Sequence, residues 1–225
     1  MIEGVLPRTV VGSDVFGDPP EAVLLPPEEP AVARAAPKRR AEYATGRLCA
    51  RRALARLGIR PVAILSGAGG EPVWPDGVVG SITHCTGYRA AAVAWADDVA
   101  TIGIDAEPHH ALPDGVLEAV ATPDEQHHLR RLARAEPDVH WDRVLFSAKE
   151  SVYKAWFPHA GAMLDYDEAA VTLERDGTLT ARLLVPGPTV DGRPVRGFGG
   201  RWHIDDGLVL TSVTHVDGGV DGAPG

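Results

Sequence analysis

The sequence predicts an α+β chain, and three observations carry the prediction. Stretches with apolar residues at steps of three and four occur in both halves, the clearest being Val144, Leu145, Ala148, Val152 and Ala155, a stripe that marks one buried helix face. Short runs suited to strands lie between and after these helices, as in Val78 to His84, Ala90 to Trp95 and Leu208 to Thr214. Turn pairs such as Asp176-Gly177 and Asp206-Gly207 join neighbouring runs as antiparallel hairpins. A long helix with several antiparallel strands in each half is an α+β pattern.

Residues 1–30 are acidic and proline-rich, which reads as a short strand near Val10-Val11 followed by an extended loop. A helix is predicted from about Pro30 to Leu57, with Pro37 as a point of interruption and Gly58 as its stop. Tyr43, Ala50, Leu54 and Leu57 supply its apolar stripe. The same stretch holds Arg34, Lys38, Arg39, Arg40, Arg47, Arg51, Arg52, Arg56 and Arg60, against one acid after Arg34, Glu42. Most of these read as a solvated basic face. A local basic cluster in a chain of net charge −9 also suits a phosphate, and Arg40, Arg47 and Arg51 share one face by spacing.

From Leu65 to Ala96 the chain reads as strands, punctuated by Gly69-Gly70 and Pro75-Asp76-Gly77. Val78 to His84 and Ala90 to Trp95 form a hairpin across Cys85-Thr-Gly-Tyr88, with His84 at the end of the first strand. Thr101-Ile-Gly-Ile-Asp-Ala-Glu-Pro108 reads as a strand ended by proline. Leu112 to about Ala135 looks helical, with a boundary at Thr122-Pro123. Thr122 and Glu125 form a capping box there, so Glu125 reads as a cap. His109-His110 and His127-His128 read as solvated, since adjacent helical residues do not face each other. Strands over Val171 to Glu174, Thr178 to Val185, Arg201 to Ile204 and Leu208 to Thr214 complete the fold, and the glycine-rich tail, residues 216–225, reads as disordered.

Two stretches carry chemistry. In the strand, Ile102, Ile104 and Ala106 point one way and Gly103, Asp105 and Glu107 the other. The two carboxylates then lie on one face with Cα atoms roughly 7 Å apart. Like charges so placed repel unless a cation sits between them, and hard oxygen ligands point to Mg²⁺ or Mn²⁺. The second stretch is the helix Phe146-Ser-Ala-Lys-Glu-Ser-Val-Tyr-Lys-Ala-Trp156, which should stop near Trp156 because of Pro158. Lys149, Glu150, Tyr153 and Lys154 stand off its apolar stripe. Glu150 is a third carboxylate between two ammonium groups, although a solvated ion pair explains Glu150 and Lys154 equally well.

With 225 residues, 44% hydrophobic and 24% charged, the chain is long enough for a sizeable core. Its net charge of −9 argues against nucleic acid and anionic membranes as partners. Cys49 and Cys85 are the only cysteines, too few for a zinc site or disulfide framework. No signal peptide or apolar run of membrane-spanning length is visible, and the expectation is a cytoplasmic monomer.

Gly103-Ile-Asp-Ala-Glu107 followed by Phe146-Ser-Ala-Lys-Glu-Ser-Val-Tyr-Lys154 resembles the paired signature of the Sfp-type, or EntD-like, 4′-phosphopantetheinyl transferases. Gly80-Ser-Ile-Thr-His-Cys-Thr-Gly-Tyr-Arg89 is similar to the upstream motif of that class, and Gly46 to Gly58 to its N-terminal helix. The likeness runs from about Ala33 to His215 and is nearest to actinobacterial members acting on polyketide, fatty-acid and nonribosomal-peptide carriers. It implies two similar α+β halves about a pseudo-twofold axis, residues 1–98 binding the nucleotide of coenzyme A and 99–215 carrying the metal and catalytic residues. It implies Mg²⁺ held by Asp105, Glu107 and Glu150, with Asp105 also beside coenzyme A. Lys149 and Lys154 face the pyrophosphate, Arg47 and either Arg39 or Arg40 the 3′-phosphate, and His84 a nucleotide phosphate. Ser81 and Thr83 line the pocket. The reaction implied is transfer of 4′-phosphopantetheine to a serine of an apo acyl- or peptidyl-carrier protein, with Glu150 or water accepting the proton. The loop Ser66-Gly-Ala-Gly-Gly70 lacks a lysine that close relatives often carry. A non-catalytic carrier-binding scaffold and a different Mg²⁺-dependent nucleotidyl or phosphoryl transferase are the rival readings. The first would need a broken metal set, and the second a glycine-rich phosphate loop that this chain lacks.

Overall fold

The computed structural model describes residues 1–190 and 192–215; the tail expected to be disordered lies outside the described residues. The elements are β1 (Val11–Phe16), α1 (Pro37–Arg56), β2 (Leu65–Ser66), β3 (Pro72–Val73), β4 (Val78–Cys85), β5 (Tyr88–Trp95), β6 (Thr101–Pro108), α2 (Val116–Val120), α3 (Pro123–Ala135), α4 (Trp141–Ala160), β7 (Ala169–Leu173), β8 (Thr178–Leu183), β9 (Thr189–Val190), β10 (Arg193–Pro194), β11 (Gly197–Asp205) and β12 (Leu208–His215). This is an α+β fold. A three-stranded sheet, β1-β5-β4, backs α1, and a five-stranded sheet, β6-β12-β11-β8-β7, backs α4. Every pairing is antiparallel. Asp206 and Gly207 take φ of 48° and 73°, the left-handed pair that the tight β11–β12 turn requires.

The apolar stripe of α4 is buried: Val144, Leu145, Ala148 and Val152 are fully covered. It packs on Val171, Leu173, Phe198, Val209 and Val213 of the larger sheet. Under α1, Cys49, Ala50, Ala53 and Leu54 meet Ala91 and Val93 of β5. A third core joins the halves: Ile102, Ile104 and Ala106 of β6 pack with Tyr88, Ala90 and Ala92 of β5 and Leu210 of β12.

Strands β4 and β6 run side by side where the sheets meet, yet they share no backbone ladder among the described residues. Side chains replace it. Ser81 Oγ accepts the Ile104 N–H at 3.1 Å, and Thr83 Oγ1 accepts the Ala106 N–H at 3.1 Å. Both hydroxyls are buried, so each satisfies a backbone donor that would otherwise be orphaned.

Several boundaries differ from the sequence reading. Helix α1 starts at Pro37, with Ala36 extended before it, because proline disfavours a helical residue at the preceding position. Residues Pro26–Val32 form a separate 3₁₀ helix. Residues 112–115 lie outside α2. Helix α4 continues through Pro158 to Ala160 and ends at Gly161; proline within the last turn removes one helical hydrogen bond, and the packed stripe outweighs that loss. The capping box is present, with the Glu125 N–H to Thr122 Oγ1 at 3.3 Å and the Thr122 N–H to Glu125 Oε2 at 2.7 Å. His109 and His128 are not merely solvated: His109 Nε2 accepts the His140 N–H, and His128 bonds the Leu173 carbonyl.

The basic face of α1 is largely neutralised by the acidic N-terminal arm. Arg51 holds both oxygens of Glu28 at 2.9 and 3.0 Å. Glu28 is fully buried and also accepts the N–H groups of Leu25 and Ile64. Glu29 pairs with Arg40, Glu21 with Arg52 and Glu3 with Arg56.

Candidate active site

The site is built where β6 lies against α4. Gly103 permits this: a Cβ there would stand 1.8 Å from the Ser151 carbonyl oxygen. That close approach buries Asp105, which is 4% exposed. Ser147 and Lys154, seven residues apart and so on one face of α4, both reach it. Ser147 Oγ donates to Asp105 Oδ2 at 2.8 Å, and Lys154 Nζ donates to Oδ1 at 2.7 Å. Thr83 Oγ1 donates to Oδ1 at 3.1 Å.

Glu107, two residues on, is half-buried. Arg143, in the first turn of α4, donates from Nη1 to Glu107 Oε2 at 2.9 Å. The guanidinium is itself fixed by the carbonyls of His110 and Ala111 at 3.0 and 3.2 Å. Burial, then the charge of Asp105, raises the Glu107 carboxyl above its ordinary range, against Arg143. Glu150 accepts a hydrogen bond from the Tyr166 hydroxyl at 2.7 Å. Burial raises the Tyr166 phenol most, followed by that bond and the charges of Glu150, Asp105 and Glu107. Tyr166 therefore sits in the field of all three predicted carboxylates and remains a donor at neutral pH.

Lys149 is buried and paired within the chain. Its side chain is 2% exposed and pairs with Glu125 at 2.9 Å. The ammonium also donates to the carbonyls of Tyr166 and Ala169. Three oxygens satisfy its three protons, and its ammonium is neutralised within the chain at the wall of a cavity that it shares with Glu150. Glu125 is accordingly both a helix cap and the counter-charge of a motif lysine, and its Oε1 takes the Val171 N–H at 2.7 Å.

At the other end, Arg39 donates to His84 Nε2 at 2.5 Å. Burial, then Arg39, holds the His84 ring below its ordinary pKa, which fits a neutral ring accepting from a guanidinium. Arg40 turns instead to Glu29. Arg47 is 5% exposed. It binds the Ile64 carbonyl at 2.8 Å, the Tyr43 hydroxyl at 2.8 Å and Ser66 Oγ at 3.0 Å. Arg47 thus fixes the start of the 66–70 loop, and the outward cation is Arg39.

Three cavities are lined by these residues and their neighbours. The first, about 590 Å³, is lined by Arg39, Tyr43, Leu65, Ser66 and Gly70. The second, about 200 Å³, shares Gly70 and adds Ser81, Tyr153, Lys154 and Phe157. The third, about 290 Å³, shares Tyr153 and adds Lys149, Glu150, Met163, Leu164 and Tyr166. The first is bordered by the Arg39 guanidinium, the second by the Lys154 ammonium, and the third by charged Lys149 and Glu150 beside apolar Val152, Met163 and Leu164. Sequence reasoning missed Ser147, Arg143 and Tyr166. Ser147 was findable at seven residues before Lys154, whereas Tyr166 carries no local signal.

Two family models match the chain: the 4′-phosphopantetheinyl transferase N-terminal domain over residues 27–94, and the 4′-phosphopantetheinyl transferase superfamily over 101–196. The chain is 56% identical over 217 residues to the 4′-phosphopantetheinyl transferase Svp of Streptomyces mobaraensis, covering 95% of this chain and 88% of the relative. The chain belongs to the 4′-phosphopantetheinyl transferase superfamily. It is also 46% identical over 222 residues to the 4′-phosphopantetheinyl transferase PptT of Mycobacterium tuberculosis, covering 95% and 97% of the two chains. To enterobactin synthase component D of Salmonella typhimurium it is 33% identical over 183 residues, covering 80% and 73%.

The carboxylates of this transferase suit a divalent cation of the hard kind. Burial raises Glu107 most and the charge of Asp105 adds to it; a cation between the two would relieve that second contribution. Among the described residues no three His, Cys, Asp or Glu side chains are grouped closely enough to hold a metal ion, so the expected trio Asp105, Glu107 and Glu150 is not gathered into one site by protein atoms alone. An open set of carboxylates completed by water and substrate phosphate is the way Mg²⁺ is commonly held.

Proposed function

We propose that the chain transfers the 4′-phosphopantetheine group of coenzyme A to a serine of an apo acyl- or peptidyl-carrier protein, releasing adenosine 3′,5′-bisphosphate. The observation that supports this reading is that Arg39, Lys154 and Glu150 each border a cavity, and that neighbouring cavities share a lining residue, Gly70 and then Tyr153, which suits a long substrate phosphorylated at one end and in the middle. Arg39 and His84 bind the nucleotide end. Lys154, already held by Asp105, carries its charge to the pyrophosphate, where negative charge grows as the bond to the leaving phosphate breaks. Asp105, Glu107 and Glu150 are the residues that would hold Mg²⁺ or Mn²⁺, which when bound adds charge stabilisation at the pyrophosphate. Glu150 takes the serine proton, directly or through one water. Tyr153, Leu164 and Met163 cover the pantetheine arm. Lys149 acts indirectly, by fixing the helix that presents Glu150.

The carriers we infer are those of polyketide, fatty-acid and nonribosomal-peptide synthases, and the chain acts as a cytoplasmic monomer. No helix among the described residues is long and apolar enough to cross a membrane. The named relatives are transferases or a synthase component, and nothing supports the scaffold reading. Mass spectrometry of a candidate apo-carrier after incubation with coenzyme A and Mg²⁺ tests the reading. A gain of roughly 340 Da, the phosphopantetheine of this phosphoryl transfer, is expected. An unmodified carrier across a panel of such domains would overturn it.

A further inference from the structure

Glu107 and Glu150 are held alike. Each gives one oxygen to a group of this chain, Arg143 or Tyr166, at 2.9 and 2.7 Å. The other oxygen of each, Oε1 of Glu107 and Oε2 of Glu150, has no partner among the described residues. A carboxylate with one oxygen fixed and one bare is oriented but not consumed.

Tyr166 is well placed to do this. It opens a 3₁₀ turn, Tyr166–Glu168, just after α4. Its ring lies 6.3 Å from that of Phe146. Its carbonyl accepts from the buried Lys149 ammonium, and its hydroxyl donates to Glu150. Three residues of one helix, Phe146, Lys149 and Glu150, therefore fix a single tyrosine, and the tyrosine fixes the one carboxylate on that helix which borders the cavity.

The geometry points to Tyr166 as a positioning residue that aims the free oxygen of Glu150 at the bound cation and at the incoming serine. This rests on the metal reading given above. Partners that orient a metal ligand typically change metal affinity by about 10–100-fold when removed. Tyr166→Phe deletes one hydroxyl, changes no charge and keeps the ring against Phe146.

The test is Mn²⁺ binding to the full chain with coenzyme A and no carrier, read from the electron paramagnetic resonance of unbound Mn²⁺. Coenzyme A binding in chelator reports that each variant is folded. Tyr166→Phe should raise the Mn²⁺ dissociation constant about tenfold and leave chelator-state coenzyme A binding unchanged. In a Glu150→Ala background, Tyr166→Phe should add nothing, because coupled residues are non-additive. An unchanged Mn²⁺ affinity in Tyr166→Phe, or the same loss without Glu150, overturns the assignment while leaving the metal reading intact. A wild-type chain that binds no Mn²⁺ overturns both.

Discussion

Lys149 separates a structural charge from a catalytic one, and Lys149→Met tests it. Methionine keeps the length of the stem and removes the ammonium. Glu125 Oε2 and the carbonyls of Tyr166 and Ala169 then lose a donor. Glu125 is 4% exposed, so its charge cannot turn to water. It keeps the N–H groups of Thr122 and Val171, which softens the loss without cancelling it. Removing one partner of a buried pair costs about 3–5 kcal/mol. In a chain of this size each kcal/mol moves Tm by about 2–4 °C, so Tm should fall by about 6–20 °C. The assay pairs thermal unfolding with single-turnover transfer at a temperature where the variant stays folded. The rate should fall less than the ~10²–10³-fold that follows loss of a donor aimed at the reacting group. An unchanged Tm with a rate loss of that size would place Lys149 on the substrate and refute the reasoning.

Arg39→Ala should raise KM for coenzyme A about tenfold or more, as expected for a charge-assisted contact, and leave dephospho-coenzyme A nearly unaffected. Burial and Arg39 hold the His84 ring below 6.5, so just below that pH the unfolded chain binds more protons and stability is lost as pH falls; Tm against pH should flatten in His84→Gln. Glu107→Gln should recover part of its rate at high Mn²⁺, whereas Glu150→Gln should stay about 10²–10⁴-fold slow; full recovery of the latter in a single-turnover titration would move the base to water. Gly103→Ala forces a methyl onto the Ser151 carbonyl, and denaturant unfolding should show a loss of about 1–3 kcal/mol or more.

The helix stripe at Val144 to Ala155, the alternation in β6 and the two Asp-Gly hairpins were legible because each is local, set by a period or a turn. The capping box at Thr122 was legible for the same reason. What sequence could not show was pairing at a distance. Most charges of α1 read as solvated, and Arg52 and Arg56 do stay exposed; what spacing could not show is their acidic partners, up to 53 residues away, as with Glu3 and Arg56. Lys149 read as exposed because spacing alone sets it beside Glu150, while its burial depends on Glu125, a residue with a sufficient local role. Arg39 and Arg40 are neighbours in sequence, and only Glu29 and His84, on different segments, tell them apart.

The joint between the sheets has a consequence for substrate handling. Thr83 Oγ1 touches the backbone of β6, the Asp105 carboxylate and the Lys154 ammonium, and the next residue on its strand is His84. His84 and Lys154, proposed above to meet the two phosphorylated parts of coenzyme A, are therefore tied to one joint of the fold and not to two bodies that must meet around the substrate. The entropy of bringing them together is lost once, when the chain folds, and is not lost again at each turnover. On the proposed function, two of the groups that would grip coenzyme A are placed by folding itself, and the carrier serine remains to be placed.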